Sequence, residues 1–406
     1  MNIGLLAYNA VCNFGANLQL LSTVEYIKKT GNIPYVINWV PYSLEKGILR
    51  RPIAQQEAHI DFRRNYFNET KLCRTSEDIA NVIRENNIEA VIIGSDAIAQ
   101  HHPLLSRIHF PDRRIISIRR VTEDRMFPNP FWGTFNDYLD HKIPIAIISA
   151  SCQNSSYKLF PKTVVKDMYK YASRYSYLST RDDWTRDMYC FLSKGQLKPS
   201  VTPDPVFGFN YNVSFIPSKE EITQKFHLNE KYILFSFYNN RRLNVEWLSN
   251  FEKQANAKGL QCVAMAFPEG ICFNHPFEKK IDNPLSPLDW YALIKYSSGY
   301  IGHNMHPIVV SLHNSVPFFS FDNYGITKLG IFVNEKSSKI YHILNLSGFL
   351  LNRFNDKNLL AKRPDVELVL DKIVNFDKDK CSQFSHSYYE LYKKMMSDTM
   401  ISILRQ

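Results

Sequence analysis

The sequence predicts an α/β protein built of two doubly wound domains that face each other across a cleft. Short apolar runs alternate with amphipathic stretches along almost the whole chain, the pattern of strands and helices in turn. A polar, proline-containing segment over 209–228 interrupts the alternation, which then restarts. The length of 406 residues suits two domains of ordinary size. With 45% hydrophobic and 22% charged residues, the composition is that of a globular chain and excludes a disordered tail, a collagen or a small disulfide scaffold.

The elements follow in order. Residues 2–8 form a buried strand ending in a turn at Asn9–Gly15, and Leu18, Leu21, Val24 and Ile27 give helical spacing over 16–29. Residues 35–40 are the next strand, and the basic, aromatic stretch 41–75 is partly helical. Ser76 with Asp78 starts a further helix. Residues 90–93 are a strand that ends in Gly94-Ser95-Asp96. The proline- and arginine-rich stretch 97–140 is a long functional loop with some helix. Strands at 144–148 and 177–180 end in Ser149-Ala150-Ser151-Cys152 and at Arg181, a helix occupies 183–192, and 201–207 close the first half.

In the second half, strands are expected at 232–237, 261–266, 299–302 and 316–321. Helices are expected at 245–257, from the Ser286-Pro287-Leu288-Asp289 cap to 296, at 307–314, and from Pro364 onward. The expected division is a first domain over 1–208, a linker over 209–228, a second domain over 229–363, and C-terminal helices over 364–406 that pack back on the first domain.

The chain carries 49 Lys and Arg against 39 Asp and Glu, a formal net charge of +10. Much of the excess is paired arginine: Arg50-Arg51, Arg63-Arg64, Arg113-Arg114, Arg119-Arg120 and Arg241-Arg242. Such pairs suit a nucleic acid, an anionic membrane or a phosphorylated small molecule, or are simply solvated. No nucleic-acid motif accompanies them, so no nucleic-acid partner is expected. The aromatic run Phe127–Trp132 either packs in the core or adds to membrane contact. Seven scattered cysteines without a CxxC pair, and a start lacking the features of a signal peptide, lead us to expect free thiols and a cytoplasmic protein, with peripheral attachment at the inner face of the membrane.

In open α/β sheets, ligands bind beyond the carboxyl ends of the strands. Here those ends are small and polar: Asn13 to Asn17, Gly94-Ser95-Asp96, Ser149-Ala150-Ser151, Arg181-Asp182, Asn239 to Arg242, and Gly302 to His306. Taken singly, Asn13-x-Gly15 and Gly94-Ser95-Asp96 also read as turns with helix caps, Arg181 as an ion-pair partner, and His306 as a half-buried histidine. Pro307 favours a helix start, which sets His306 where free N–H groups and the dipole attract an anion. A histidine there can neutralise a phosphate or move a proton. His303-x-x-His306 lacks partner ligands at metal spacing, and no metal is expected. GxGxxG, Walker and GxSxG motifs are absent from the sequence, which disfavours standard dinucleotide, kinase-like and hydrolase sites.

The ordered set of strand ends resembles the polysaccharide pyruvyl transferase family. It is carried by Cys12-Asn13-Phe14-Gly15-Ala16-Asn17-Leu18-Gln19, Ile92-Ile93-Gly94-Ser95-Asp96, Ser149-Ala150-Ser151, Leu178-Ser179-Thr180-Arg181-Asp182, Asp204-Pro205-Val206-Phe207, Pro287-Leu288-Asp289-Trp290, and His306 followed by Pro317–Asp322. The resemblance implies two Rossmann-like domains of the GT-B type, the first on the acceptor side and the second on the donor side. It implies transfer of the pyruvyl group of phosphoenolpyruvate, as co-substrate and with no cofactor, to a sugar or lipid-linked oligosaccharide acceptor. The product is a cyclic ketal and free phosphate. Asn304 stands where the family often has arginine, and Ala97-Ile98 follow Asp96 in place of the family's Gln-x-Trp pattern.

Roles implied by position and resemblance are as follows. His306 is the acid or phosphate neutraliser, and Asp96 the base or hydroxyl binder. Arg181, Arg241, Arg242, Asn304 and His303 hold the donor. Asn13, Gly15, Asn17 and Ser95 hold the acceptor. A nucleotide-sugar glycosyltransferase and a non-catalytic member of a polysaccharide system remain the alternatives.

Overall fold

The computed structural model describes residues 1–112, 115–153, 155–239, 243–328, 332–358 and 360–404. Arg113-Arg114 and Arg241-Arg242 lie outside the described residues.

Two parallel six-stranded sheets form the two halves. The first contains β1 (Asn2–Leu6), β2 (Ile33–Val36), β3 (Ala90–Asp96), β4 (Ile145–Ala150), β5 (Tyr177–Thr180) and β6 (Ser200–Val201), in the order β2-β1-β3-β4-β5-β6. The second contains β7 (Tyr232–Ser236), β8 (Gln261–Met265), β9 (Lys279–Ile281), β10 (Gly299–Gly302), β11 (Phe318–Asp322) and β12 (Arg353–Asn355), in the order β9-β8-β7-β10-β11-β12. Every ladder in both sheets is parallel. The sequence reason is plain in β3, β4 and β7, which are buried at every position. Helices cover both faces, so the strands read as continuous apolar runs instead of alternating ones.

In each sheet the strand order reverses beside the first strand, between β1 and β3 and between β7 and β10. Each reversal opens a crevice at the carboxyl ends, and these are the positions where ligands bind in such sheets. One apolar cluster joins both halves. Leu18, Leu21 and Val24 of the helix Phe14–Lys29 belong to it together with Tyr291 and Leu293 of the helix Pro287–Lys295. Phe14 stacks on Trp290 with ring centroids 5.3 Å apart. The C-terminal helix Lys378–Leu404 touches both halves. Its Ser385 donates to the His313 carbonyl at 2.9 Å, and its Met395 sulfur accepts from Ser149 Oγ at 3.1 Å.

Local chemistry sets the helix starts. Asn13 Oδ1 accepts from the Ala16 amide, and Asp182 Oδ1 from the Thr185 amide at 2.8 Å. The helix expected from Ser76 is capped one residue earlier, by Thr75 in a capping box with Asp78. The strand expected over 35–40 is shorter, because beyond Val36 the chain makes only single bridges, such as Trp39 with Cys73. The segment 209–228 carries the helices Phe209–Asn212 and Lys219–Phe226, with Phe209 and Ile222 buried. The aromatics Phe127, Phe131 and Trp132 are buried in the first half, Trp132 packing near Tyr189, which is the packing reading and not the membrane one. All seven cysteines are free. Among the described residues, no helix is long and apolar enough to cross a membrane.

Burial pushes several histidines down. His59, His101, His303 and His306 fall to about 4 and His313 to about 3, each mainly by desolvation, so all are neutral in the folded protein near pH 7. The unfolded chain takes up protons on these groups near their ordinary value of 6.5, whereas the folded chain does not until about 4. Stability is therefore complete above that ordinary value and falls as the pH drops from about 6.5 towards 4. We expect the melting temperature to decline steadily through that window. A melting temperature that stays level from pH 7 to 5 would contradict the burial of neutral imidazoles.

Candidate active site

A cavity of about 630 Å³ lies between the two crevices. The first sheet's strand ends contribute Asn13, Gly15, Asp96 and Ala97, and the second sheet's contribute Ser236, Tyr238, Asn304 and His306.

Behind it sits a buried ion cluster. Arg181, at the end of β5, is 3% exposed. Its Nη2 donates to Asp96 Oδ1 at 3.1 Å and its Nη1 to Asp204 Oδ2 at 2.9 Å. Asp204 also accepts from Gln19 Nε2 at 2.5 Å and, through Oδ1, from the Val206 amide. Burial alone would raise the Asp96 carboxyl, but Arg181, Lys339 and His306 hold it well below the usual carboxylate range. Burial would likewise lower the Arg181 guanidinium, and Asp96, Asp204 and Asp182 raise it instead. Asp96 is thus a permanent carboxylate with one face on Arg181 and the other in the cavity.

Asp96 itself has φ +77°, and Gly94 has φ +125°. A Cβ on Gly94 would lie 2.3 Å from the Ile148 carbonyl oxygen, so only glycine lets β3 run this close to β4 before it turns.

His306 comes from the second sheet. It is the second residue of the helix Met305–His313, which starts earlier than expected, with Asn304 at its N-cap. Its ring faces the start of the helix Phe14–Lys29. A Cβ on Gly15 would lie 2.0 Å from His306 Cγ. Gly15 therefore makes room for an imidazole arriving from the other half of the molecule. The His306 Nε2 is buried and has no hydrogen-bond partner among the described residues. Burial pushes the ring down to about 4, opposed by Asp96 and Asp204.

Lys339 completes the group. It opens the helix Lys339–Ser347 and lines the cavity, although it is 8% exposed. Its ammonium lies over the Tyr324 ring at 4.6 Å, and among the described residues no hydrogen bond or ion pair reaches it. Burial and Arg181 push it down to about 8, against Asp96, Asp182 and Asp204. The helix is anchored by Ser338, whose hydroxyl donates to the buried Asp322 at 2.5 Å.

The other predicted residues divide. Asn13 and Asn304 line the cavity. Asn17 is fully buried with Nδ2 on the Asn9 carbonyl at 2.9 Å, and it holds the β1 turn. Ser95 is buried, its hydroxyl has no partner among the described residues, and it does not line the cavity. His303 points away from the cavity. Its Nδ1 accepts from the Tyr238 amide at 3.2 Å, and its ring packs edge-on against Phe237. Arg181 also has no cavity surface. Arg241 and Arg242 lie outside the described residues. Among the described residues, no group of three His, Cys, Asp or Glu could hold a metal ion.

Sequence reasoning missed three contributors. Tyr8 and Asp124 line the cavity joined by a 2.9 Å hydrogen bond, and Asp124 falls in the stretch 97–140, which reads as a long functional loop with some helix but singles out no residue. Lys339 had no signal, since it follows an irregular stretch and no strand end announces it.

The sequence model of the polysaccharide pyruvyl transferase family matches residues 13–324. No curated protein matches the chain. Among solved structures, the chain is similar to a putative UDP-N-acetylglucosamine 2-epimerase from Listeria monocytogenes, at 9% identity and a TM-score of 0.52, covering 95% of this chain and 90% of that one. It is also similar to the UDP-GlcNAc 2-epimerase from Methanocaldococcus jannaschii, at 11% identity and a TM-score of 0.49, covering 92% and 91%. At such identity the likeness concerns the fold.

Two substitutions probe this geometry. Arg181→Ala leaves two carboxylates buried without their cation and should cost about 3–5 kcal/mol, read by denaturant unfolding. A loss under about 1 kcal/mol would mean that the cluster does not hold the strand ends together. Gly15→Ala should displace the His306 ring, seen as a moved imidazole signal in NMR, while the melting temperature changes little. An unmoved signal would show that the ring does not rest on Gly15.

Proposed function

Because the chain belongs to the polysaccharide pyruvyl transferase family, we propose that it moves the pyruvyl group of phosphoenolpyruvate onto two hydroxyls of a sugar in a surface polysaccharide precursor, lipid-linked in the cell, to form a cyclic ketal with release of phosphate. The observation that carries this reading is the meeting in one cavity of the Asp96 carboxylate, the Lys339 ammonium and the His306 ring, whose buried Nε2 has no hydrogen-bond partner among the described residues.

The chemistry needs that combination. The bond from C2 of the donor to the phosphate oxygen breaks, and the two sugar oxygens bond to C2. One hydroxyl proton ends on the methylene carbon, making it methyl, and the other leaves with phosphate. A dianionic donor needs cations in a site shielded from water, where their attraction is strong. Lys339 supplies one, and the start of the helix Met305–His313 supplies oriented N–H groups. Asp96 stays ionised and accepts a hydrogen bond from a sugar hydroxyl. His306 is neutral in the free protein, and an incoming dianion favours its protonated form, so it is suited to carry the transferred proton.

The test is incubation with phosphoenolpyruvate and a set of sugar acceptors, following inorganic phosphate and new ketal methyl signals. His306→Ala should lower phosphate release by about a hundredfold or more while the protein stays folded. Full turnover in that variant would reject the assignment. Lys339→Met should raise the KM for phosphoenolpyruvate by about tenfold. Because the free Lys339 is charged only below about 8, kcat/KM should fall as the pH rises through that value. A profile flat to pH 9.5 would remove Lys339 from donor binding. Thermal stabilisation by nucleoside diphosphates and not by phosphoenolpyruvate would redirect the reading to a nucleotide-sugar transferase.

A further inference from the structure

At the rim of the cavity an antiparallel hairpin, Ile108–Asp112 with Ile115–Ile118, stands outside both main sheets. Its base is closed by the Arg119 amide donating to the Arg107 carbonyl at 2.8 Å and by Arg107 Nε donating to the Arg119 carbonyl at 3.2 Å. Arg107, Arg119 and Arg120 line the cavity mouth.

Ile108 and Ile118 are direct partners across the ladder, so their side chains emerge on the same face. Both are open to solvent, at 38% and 50%, and the nearby Leu104 is 57% exposed. Beside these aliphatic side chains Arg119 and Arg120 are also exposed. Among the described residues, no acidic side chain forms an ion pair with Arg107, Arg119 or Arg120. The aromatics of 127–132, which could have served a surface role, are committed to the core.

Exposed branched aliphatics on a two-stranded ribbon are unfavourable in water, and a ribbon of this kind is barely stable by itself. The charged residues next to the two exposed isoleucines in the chain, Arg107, Arg119 and Arg120, are cationic. That combination matches the boundary of a bilayer that contains anionic lipid. There the aliphatic side chains enter the acyl region and the guanidinium groups meet lipid phosphates. An apolar protein partner would leave the arginines without counter-charge.

We propose that the exposed aliphatic side chains Ile108 and Ile118 of the hairpin and Leu104 of the short helix before it, with Arg107, Arg119 and Arg120, dock on an anionic lipid bilayer and set the cavity mouth at the membrane surface. The inference rests on the transfer reading only for the reason to be there, namely delivery of a lipid-borne acceptor. The docking itself is measured without donor or acceptor, so its failure and the failure of pyruvyl transfer are separate results.

The experiment is flotation of the full chain with vesicles of phosphatidylcholine, alone or with about 30 mol% phosphatidylglycerol. We expect binding to the anionic vesicles at about 50 mM salt, and its loss at about 500 mM salt or without phosphatidylglycerol. The variant Leu104→Ser/Ile108→Ser/Ile118→Ser should lose about fivefold or more of the bound fraction while keeping its melting temperature. If that variant fails to fold, Ile118→Ser alone should show a smaller loss in the same direction. No flotation of the wild type with anionic vesicles at low salt, or serine variants that float as the wild type does, would overturn the proposal. So would self-association of the wild type that the variant abolishes, because a second copy would then cover the face.

Discussion

The site depends on the buried pairing of Arg181 with Asp96 and Asp204. A guanidinium taken out of water is costly, and two carboxylates at 3.1 and 2.9 Å offset that cost while giving up their own hydration. The cluster joins the end of β3, the end of β5, the segment after β6 and, through Gln19, the helix that follows β1. Four separate pieces of the first half are thereby fixed at the edge of the cavity. Asp96 has no freedom to turn away, since its backbone lies in the left-handed region and one of its oxygens is committed.

Placing Arg181 behind Asp96 changes what it can do. It does not reach the cavity, so any anion there meets its charge only through Asp96. It works by holding that carboxylate ionised and aimed. Arginines of the first half, such as Arg51 and Arg125, also line the cavity, and the second half adds Lys339 and the His306 ring. The fixed Asp96 carboxylate of the first half and the Lys339 ammonium and His306 ring of the second half thus face one cavity. Gly15 is what lets the two sets meet, because any side chain there would occupy the space of the imidazole.

The excess positive charge also acquires a location. Arg181 and Arg353 are consumed in buried pairs, whereas Arg107, Arg119 and Arg120 gather at the cavity mouth beside exposed aliphatic side chains. The polar interior of the cavity and the rim with its exposed aliphatic side chains therefore differ in chemistry.

By itself the sequence determined the two doubly wound sheets and the strand ends that border the cavity. Strands buried on both faces must be apolar throughout, and small polar residues just beyond them cannot belong to that core, so both features are written locally. The cap reading of Asn13-x-Gly15 follows for the same reason. Only the tertiary structure decided that Arg181 turns inward, that His303 packs against Phe237 while His306, three residues on, enters the cavity, and that Lys339 arrives there at all. Each outcome is set by partners remote in the chain, such as Asp96, 85 positions from Arg181. Whether a charge is buried or a ring unpartnered depends on which distant groups surround it, and no local pattern carries that information.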